Sequence, residues 1–220
     1  MDYERRLTTL SQNDQLVDGL VETGVLESDS IIRAFREIDR ADFVPDSLRD
    51  RAYENTPLPI GHGQTISQPY TVAFMLELLD PQPGNTILDV GCGSGWQTAL
   101  LSHIVSQHGK RGRVIGIERI PELADLAEHT VSRYSLADRG VCQILCQNAE
   151  PGLPDEAPFD GIIGAASASA VPAAWQEQVE VGGRIVLPVG SEIIRLEKLE
   201  TGEFDEQRHP GFVFVPFVTD

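Results

Sequence analysis

The chain has 220 residues, 34 acidic side chains against 17 Lys and Arg, and a net charge of −17, which suits one domain with a sizeable core. Lys110 and Lys198 are the only lysines, and the sole basic cluster, Lys110, Arg111 and Arg113, falls between elements; this excludes a nucleic-acid backbone, which needs clustered cations, as a partner. The Met1–Arg6 start leads into no apolar run and no later stretch could span a bilayer, so a cytoplasmic protein without a membrane role is expected.

The acidity reads either as solubility or as adjustment to a salty cytoplasm, and neither bears on chemistry. Cys92, Cys142 and Cys146 make no disulfide framework, and Cys142 and Cys146 stand about 13 Å apart at strand rise. His62, His103, His108, His129 and His209 are scattered without ligand spacing, so no metal site is expected.

Residues 11–55 read as helical, with Leu16, Leu20, Ile31, Ile32, Phe35 and Ile38 on apolar faces and Ser28 or Asp29 as caps. Pro45 breaks that pattern. The stretch 53–69 holds Pro57, Pro59, Gly61, Gly63 and Pro69, too many breakers for a regular element, and reads as a shaped loop. A helix follows from Thr71 to about Leu79.

From Thr86 onward strands and helices alternate. Strands are expected at 86–90, 113–117, 141–147, 159–164, 183–188, 193–199 and 212–217, with helices near 96–107, 121–134 and 172–179. That alternation predicts an α/β fold with a doubly wound, mainly parallel seven-stranded sheet. The last two strands, joined by a turn around Thr201, Gly202 and Glu203, read as an antiparallel hairpin at one edge.

Asp89-Val90-Gly91-Cys92-Gly93-Ser94-Gly95 is the most informative stretch. It places glycines where a strand turns into a helix, a turn that brings main-chain N–H groups close to a ligand. Trp96 occupies the third glycine position of a dinucleotide fingerprint, which argues against NAD or FAD. Glu118, at the carboxyl end of the next strand, can accept both hydroxyls of a ribose. Asp89 and Glu118 are expected to flank one crevice. An acid opening the turn repels a pyrophosphate and favours a sulfonium, so S-adenosyl-L-methionine is the expected cofactor.

The loop ahead of the sheet then narrows the reading. Pro57-Leu58-Pro59-Ile60-Gly61-His62-Gly63-Gln64-Thr65-Ile66-Ser67-Gln68-Pro69-Tyr70 closely resembles the signature of the protein-L-isoaspartate (D-aspartate) O-methyltransferases, especially their bacterial and archaeal branch. Phe43-Val44-Pro45, Ala157-Pro158-Phe159-Asp160, the stretch Gly182–Gly190 and Phe214-Val215-Pro216 resemble the family in the same order, so the likeness spans nearly the whole chain. It implies a class I methyltransferase core at 71–220 preceded by an N-terminal helical extension and substrate loop at 1–70, within one structural domain; a monomer is expected, though the sequence does not determine the oligomeric state.

The implied reaction moves a methyl group from S-adenosylmethionine to the α-carboxylate of L-isoaspartyl residues in damaged proteins. Ser67 is the implied catalytic residue; Gln64, Thr65, Ser67, Asp89, Gly91, Gly93, Glu118, Asn148 and Ala149 are the implied cofactor contacts. Read without the resemblance, Ser67 is as well a cap for the helix beginning near Pro69, and Asn148 a plain turn residue. Gln147-Asn148-Ala149 replaces the family's usual Gly-Asp-Gly, and the Ala- and Ser-rich 165–172 loop also departs from its pattern. Those departures leave open an acceptor other than isoaspartate, either a normal aspartate or a small molecule, or a non-catalytic module that binds the cofactor.

Overall fold

Two helices, α1 (Gln12–Glu22) and α2 (Asp29–Glu37), open the structure, a computed structural model that describes residues 11–137 and 139–218. Residues 1–10, with the Met1–Arg6 start read above, Asp138 and the last two residues lie outside the described residues. Helix α1 begins in a reciprocal box: the Asp14 amide donates to Ser11 Oγ at 3.0 Å and the Ser11 amide to the Asp14 carboxylate at 3.3 Å. On α2, Ile31, Ala34 and Phe35 recur at helical spacing and are buried. Ser28 does not cap α2 through its side chain. Its hydroxyl instead donates at 2.6 Å to Glu77 on α3 (Pro69–Leu79), which ties the extension to the rest of the chain.

The stretch expected to be irregular contains a two-stranded ribbon, β1 (Leu58–Gly61) and β2 (Gln64–Ile66). Pro59 is tolerated because each strand of a ribbon has a free edge. Leu58, Ile60 and Ile66 point inward, and the tip Gly61-His62-Gly63 is left-handed throughout, with φ of 96°, 51° and 72°.

The sheet follows in chain order as β3 (Thr86–Val90), α4 (Trp96–Val105), β4 (Arg113–Glu118), α5 (Pro121–Ser132), β5 (Cys142–Cys146), β6 (Phe159–Gly164), α6 (Ala173–Gln178), β7 (Val179–Val189), β8 (Glu192–Lys198) and β9 (Phe204–Pro210). Its spatial order is β5-β4-β3-β6-β7-β8-β9; the first five strands are parallel, while β8 and β9 fold back antiparallel. The run β3 to β5 steps outward one way through α4 and α5, and β6 and β7 step the other way through α6. The reversal falls between β3 and β6, where a crevice opens at the strands' carboxyl ends.

Alternate residues of the strands feed two buried clusters. Ile87, Val114 and Val186 meet α3, α4 and the extension's Val17 and Phe35 on one face. Leu88, Ile115, Ile162 and Leu187 meet Trp175 on the other. The extension and the sheet therefore share one continuous core.

The final strand is not the expected 212–217. β9 lies at 204–210, a polar edge strand with its side chains mostly exposed, so it lacks the apolar alternation that marks a strand in sequence. The apolar 212–217 segment instead leaves the sheet: Ser167 N donates to Val215 O at 2.8 Å and Phe217 N to Ser167 O at 2.8 Å.

Gly95 begins α4 with φ 88°, and a Cβ there would stand 3.0 Å from Val131 Cγ2 and 3.3 Å from Ala127. Gly95→Ala should therefore lower stability by about 2–4 kcal/mol, through left-handed strain and overpacking together. Urea unfolding at unchanged slope reads this directly.

Candidate active site

Gly91, Gly93 and Gly95 take φ of 74°, 55° and 88°, so the turn after β3 winds left-handed at alternate residues. The end of β4 pins it. Ile117 O accepts from Gly91 N at 2.8 Å and from Cys92 N at 3.1 Å, while the Glu118 carboxylate accepts from Gly93 N and from Ile120 N, each at 3.0 Å. Glu118 is buried, yet a carboxylate offers about four acceptor directions and the backbone takes two of them. Capacity remains for hydroxyl groups in the cleft that Glu118 lines.

That cleft opens to solvent at its mouth and is lined by polar and apolar groups together. Gln64 and Thr65 from β2 form one wall, Gly91 and Gly93 the floor, and Ile120, Gln147 and Ala149 the far end. A Cβ built on Gly91 meets nothing within 4 Å, so the turn presents bare backbone to open space. Residues 215–218 of the C-terminal segment close the remaining side. Six of the anticipated contacts, Gln64, Thr65, Gly91, Gly93, Glu118 and Ala149, thus share one cavity.

Ser67 borders two adjoining clefts, one shared with the Gly91–Ser94 turn and one with Gln68, Thr71 and Val213. Thr65 lines these and the main cleft alike, so it stands at the seam. The capping role for Ser67 is not realised: Gln68 occupies the N-cap of α3 without a side-chain bond. Among the described residues, the Ser67 hydroxyl has no hydrogen-bond partner.

One anticipated contact needs correction. Asp89 does not flank the crevice; it lies fully buried beneath the turn, accepting from Gln97 Nε2 at 2.7 Å and Thr98 Oγ1 at 2.6 Å. Burial raises its pKa to about 6, against the lowering effect of those two bonds, and the neighbouring Glu118 charge adds to the rise. Its work is to brace the first turn of α4 against β3. Asn148 is exposed, and its Oδ1 accepts from Glu150 N at 2.9 Å, the local turn to which Asn is suited, while Gln147 and Ala149 on either side face the cleft.

Arg40 is the site residue that sequence reasoning missed. Its side chain is fully buried; Nη1 donates to Ala52 O at 2.6 Å, and Nη2 to Thr56 O at 3.0 Å and Ser67 O at 3.1 Å. The guanidinium lies 5.3 Å from the centroid of Trp96, which in turn meets Phe35 edge-on at 5.5 Å. Neither residue type nor spacing signals this, because each carbonyl partner is at least 12 residues away in the chain.

No helix among the described residues is long and apolar enough to cross a membrane. A left-handed glycine turn at the switch point of a doubly wound sheet, facing a buried acid at the end of the adjacent strand, defines a class I S-adenosylmethionine-dependent methyltransferase. Residues 11–220 match the sequence model of the protein-L-isoaspartate (D-aspartate) O-methyltransferase family, and the chain belongs to that family.

A protein-L-isoaspartate O-methyltransferase of Methanopyrus kandleri is 44% identical over 209 residues, covering 93% of this chain and 90% of that one. One from Aeropyrum pernix is 42% identical, covering 93% and 78%. A Plasmodium falciparum structure described as a protein-L-isoaspartate O-methyltransferase in complex with S-adenosyl-L-homocysteine superposes with a TM-score of 0.85 over 96% of this chain and all of that one. At 24% identity, that likeness concerns the fold.

The Asp89 proton links the site to stability. Its folded pKa of about 6 lies above the unfolded value of about 3.9, so its contribution is full below pH 4 and is lost as the pH rises through 6. Asp89→Asn removes this titration. The stability of the wild type relative to the variant should fall by about 2–3 kcal/mol between pH 4 and pH 7. Chemical unfolding across that range checks it, and a pH-independent difference would show that Asp89 titrates normally.

Proposed function

We propose that the cleft holds S-adenosylmethionine and that Ser67 orients the α-carboxylate of an isoaspartyl residue beside it. The observation that carries this reading is the unpartnered Ser67 hydroxyl, which borders both the cleft at the Gly91–Ser94 turn and an open groove, each joined to the cofactor cleft through Thr65. When bound, the cofactor supplies an electrophilic methyl group on a sulfonium. Glu118, fixed by two backbone amides, is placed to accept the ribose hydroxyls. Gln64, Thr65 and the Gly91–Gly93 backbone line its other walls, and Ile120 with Ala149 gives an apolar end suited to a flat ring.

The chain belongs to a family of carboxyl methyltransferases for isoaspartyl proteins, and its site fits the modest demands of that reaction. An α-carboxyl with a pKa near 3.5 is already ionised at neutral pH, so no general base is required. Among the described residues, no histidine lines the three clefts. What the protein must supply is alignment and exclusion of water. Thr65 and Ser67 can donate to the carboxylate without neutralising it, and Val213, Phe214 and Val215 make the groove apolar.

An isoaspartyl link runs the chain through the side chain and leaves the α-carboxylate on a short arm. A pocket shaped by residues 60–69 admits that arm and rejects the longer normal side chain. The ester so formed is open to attack by the neighbouring backbone amide. Methanol leaves, and the succinimide that results reopens in part to normal aspartate, which is repair.

Glu118→Ala should weaken S-adenosylhomocysteine binding by about 2–3 kcal/mol, measured by calorimetry. Ser67→Ala should lower kcat/KM for an isoaspartyl peptide by about a hundredfold while leaving S-adenosylhomocysteine affinity within about threefold. Paired peptides containing Asp or isoAsp decide the acceptor: equal turnover of both, or a fully active Ser67→Ala enzyme, would favour a different carboxylate.

A further inference from the structure

Arg40 is a buried cation with no carboxylate in contact among the described residues; the acid whose charge it feels, Glu54, is itself bound to Arg51. Among the described residues it forms no ion pair, and carbonyl oxygens together with the face of Trp96 take its donors and its charge. Its Nε has no partner at all. Burying a charge in this way is unfavourable and is offset only in part by hydrogen bonds to neutral groups. Burial lowers its pKa to about 10, so the group still carries its proton at neutral pH. The neutral carbonyls orient the charge without cancelling it, Glu54 offsets it only from a distance, and one of those carbonyls belongs to Ser67.

Among the described residues, the acceptor side of the site otherwise lacks positive charge. No Lys or Arg among the described residues lines either cleft that Ser67 borders, and the protein as a whole carries −17. An anionic acceptor approaching such a surface is repelled unless something local reverses the field. A cation held out of water, directly behind the Ser67 backbone, is screened far less than one on the surface.

We propose that Arg40 is a positioning residue for the acceptor: it supplies the counter-charge felt by the substrate α-carboxylate, and its Nη2, shared between Thr56 O and Ser67 O, fixes the direction of the Ser67 hydroxyl. The inference rests on the acceptor site assigned above. It separates two duties, charge and grip, that different substitutions remove.

The test compares Arg40→Gln, which removes the charge, with Arg40→Lys, which keeps it but cannot span both carbonyls. Each variant is assayed for methylation of an isoaspartyl peptide. Each is also assayed for competitive inhibition by the same peptide with its α-carboxyl group converted to a carboxamide, with S-adenosylhomocysteine affinity as the control for folding. Arg40→Gln should cut the preference for carboxylate over carboxamide by about tenfold, with cofactor affinity within about threefold. Arg40→Lys should keep that preference within about twofold and lower kcat about tenfold.

Equal weakening of both peptides in Arg40→Gln would reduce Arg40 to a scaffold residue and overturn the inference. If Arg40→Gln does not bind S-adenosylhomocysteine, Arg40→Lys decides, and wild-type kcat in that variant overturns it. Failure of the wild type to methylate the isoaspartyl peptide is a separate result, which removes the acceptor reading itself.

Discussion

The grip of β4 on the glycine turn is the constraint from which the site follows. Gly91, Cys92 and Gly93 leave β3 in a path that few residues adopt, and it is held by hydrogen bonds from their backbone N–H groups to Ile117 O and to the Glu118 carboxylate. Fixing the turn fixes the start of α4, and hence Trp96, on whose ring Arg40 rests. It also fixes Glu118, since one carboxylate both receives the turn's amide and borders the cleft. A single side chain thus serves scaffold and site, so a ligand that meets Glu118 meets a group already oriented.

Around this centre the two ends of the chain supply the walls. The β1–β2 ribbon reaches the turn through Ile60, whose Cδ1 would stand 3.1 Å from a Cβ on Gly93. The C-terminal segment arrives from the other side. Phe212 stacks on Phe74 at 5.2 Å and Phe217 meets Trp175 edge-on at 5.9 Å, so the stretch between them is held against the cleft by its ends. The Ala- and Ser-rich 165–172 loop is the platform for this: Ala165 N donates to Val90 O and Ser167 pairs with the segment's backbone. Small side chains there let two backbones approach.

Legibility in the sequence followed locality. The glycine turn, Glu118 and the alternation after Thr86 were readable because each is set by neighbours a few residues away. The β1–β2 ribbon escaped because its breakers, Pro57, Pro59, Gly61 and Gly63, serve a strand edge and a tight tip. The exchange of roles between 204–210 and 212–217 arose because the more polar stretch is the edge strand and the more apolar one covers a cavity. Asp89 was misplaced for a related reason: its position in the motif is local, but its partners, Gln97 and Thr98, lie on the following helix and draw it under the turn. Arg40 was invisible, since its contacts are carbonyl groups, which every residue carries.

The switch point has a kinetic consequence as well. Pairing of β3 with β6 joins segments about 74 residues apart, as the bond from Thr86 N to Asp160 Oδ2 marks, and only that pairing brings the Ala165 wall beside the glycine turn. Contacts so distant carry a high loop-closure entropy, which slows folding. The cleft cannot exist in a partly folded chain, so ligand affinity is reserved for the finished molecule, and occupancy draws the whole folding equilibrium toward it. A catalyst that attends to aged polypeptides is thereby one whose own competence depends on a long-range strand pairing having closed.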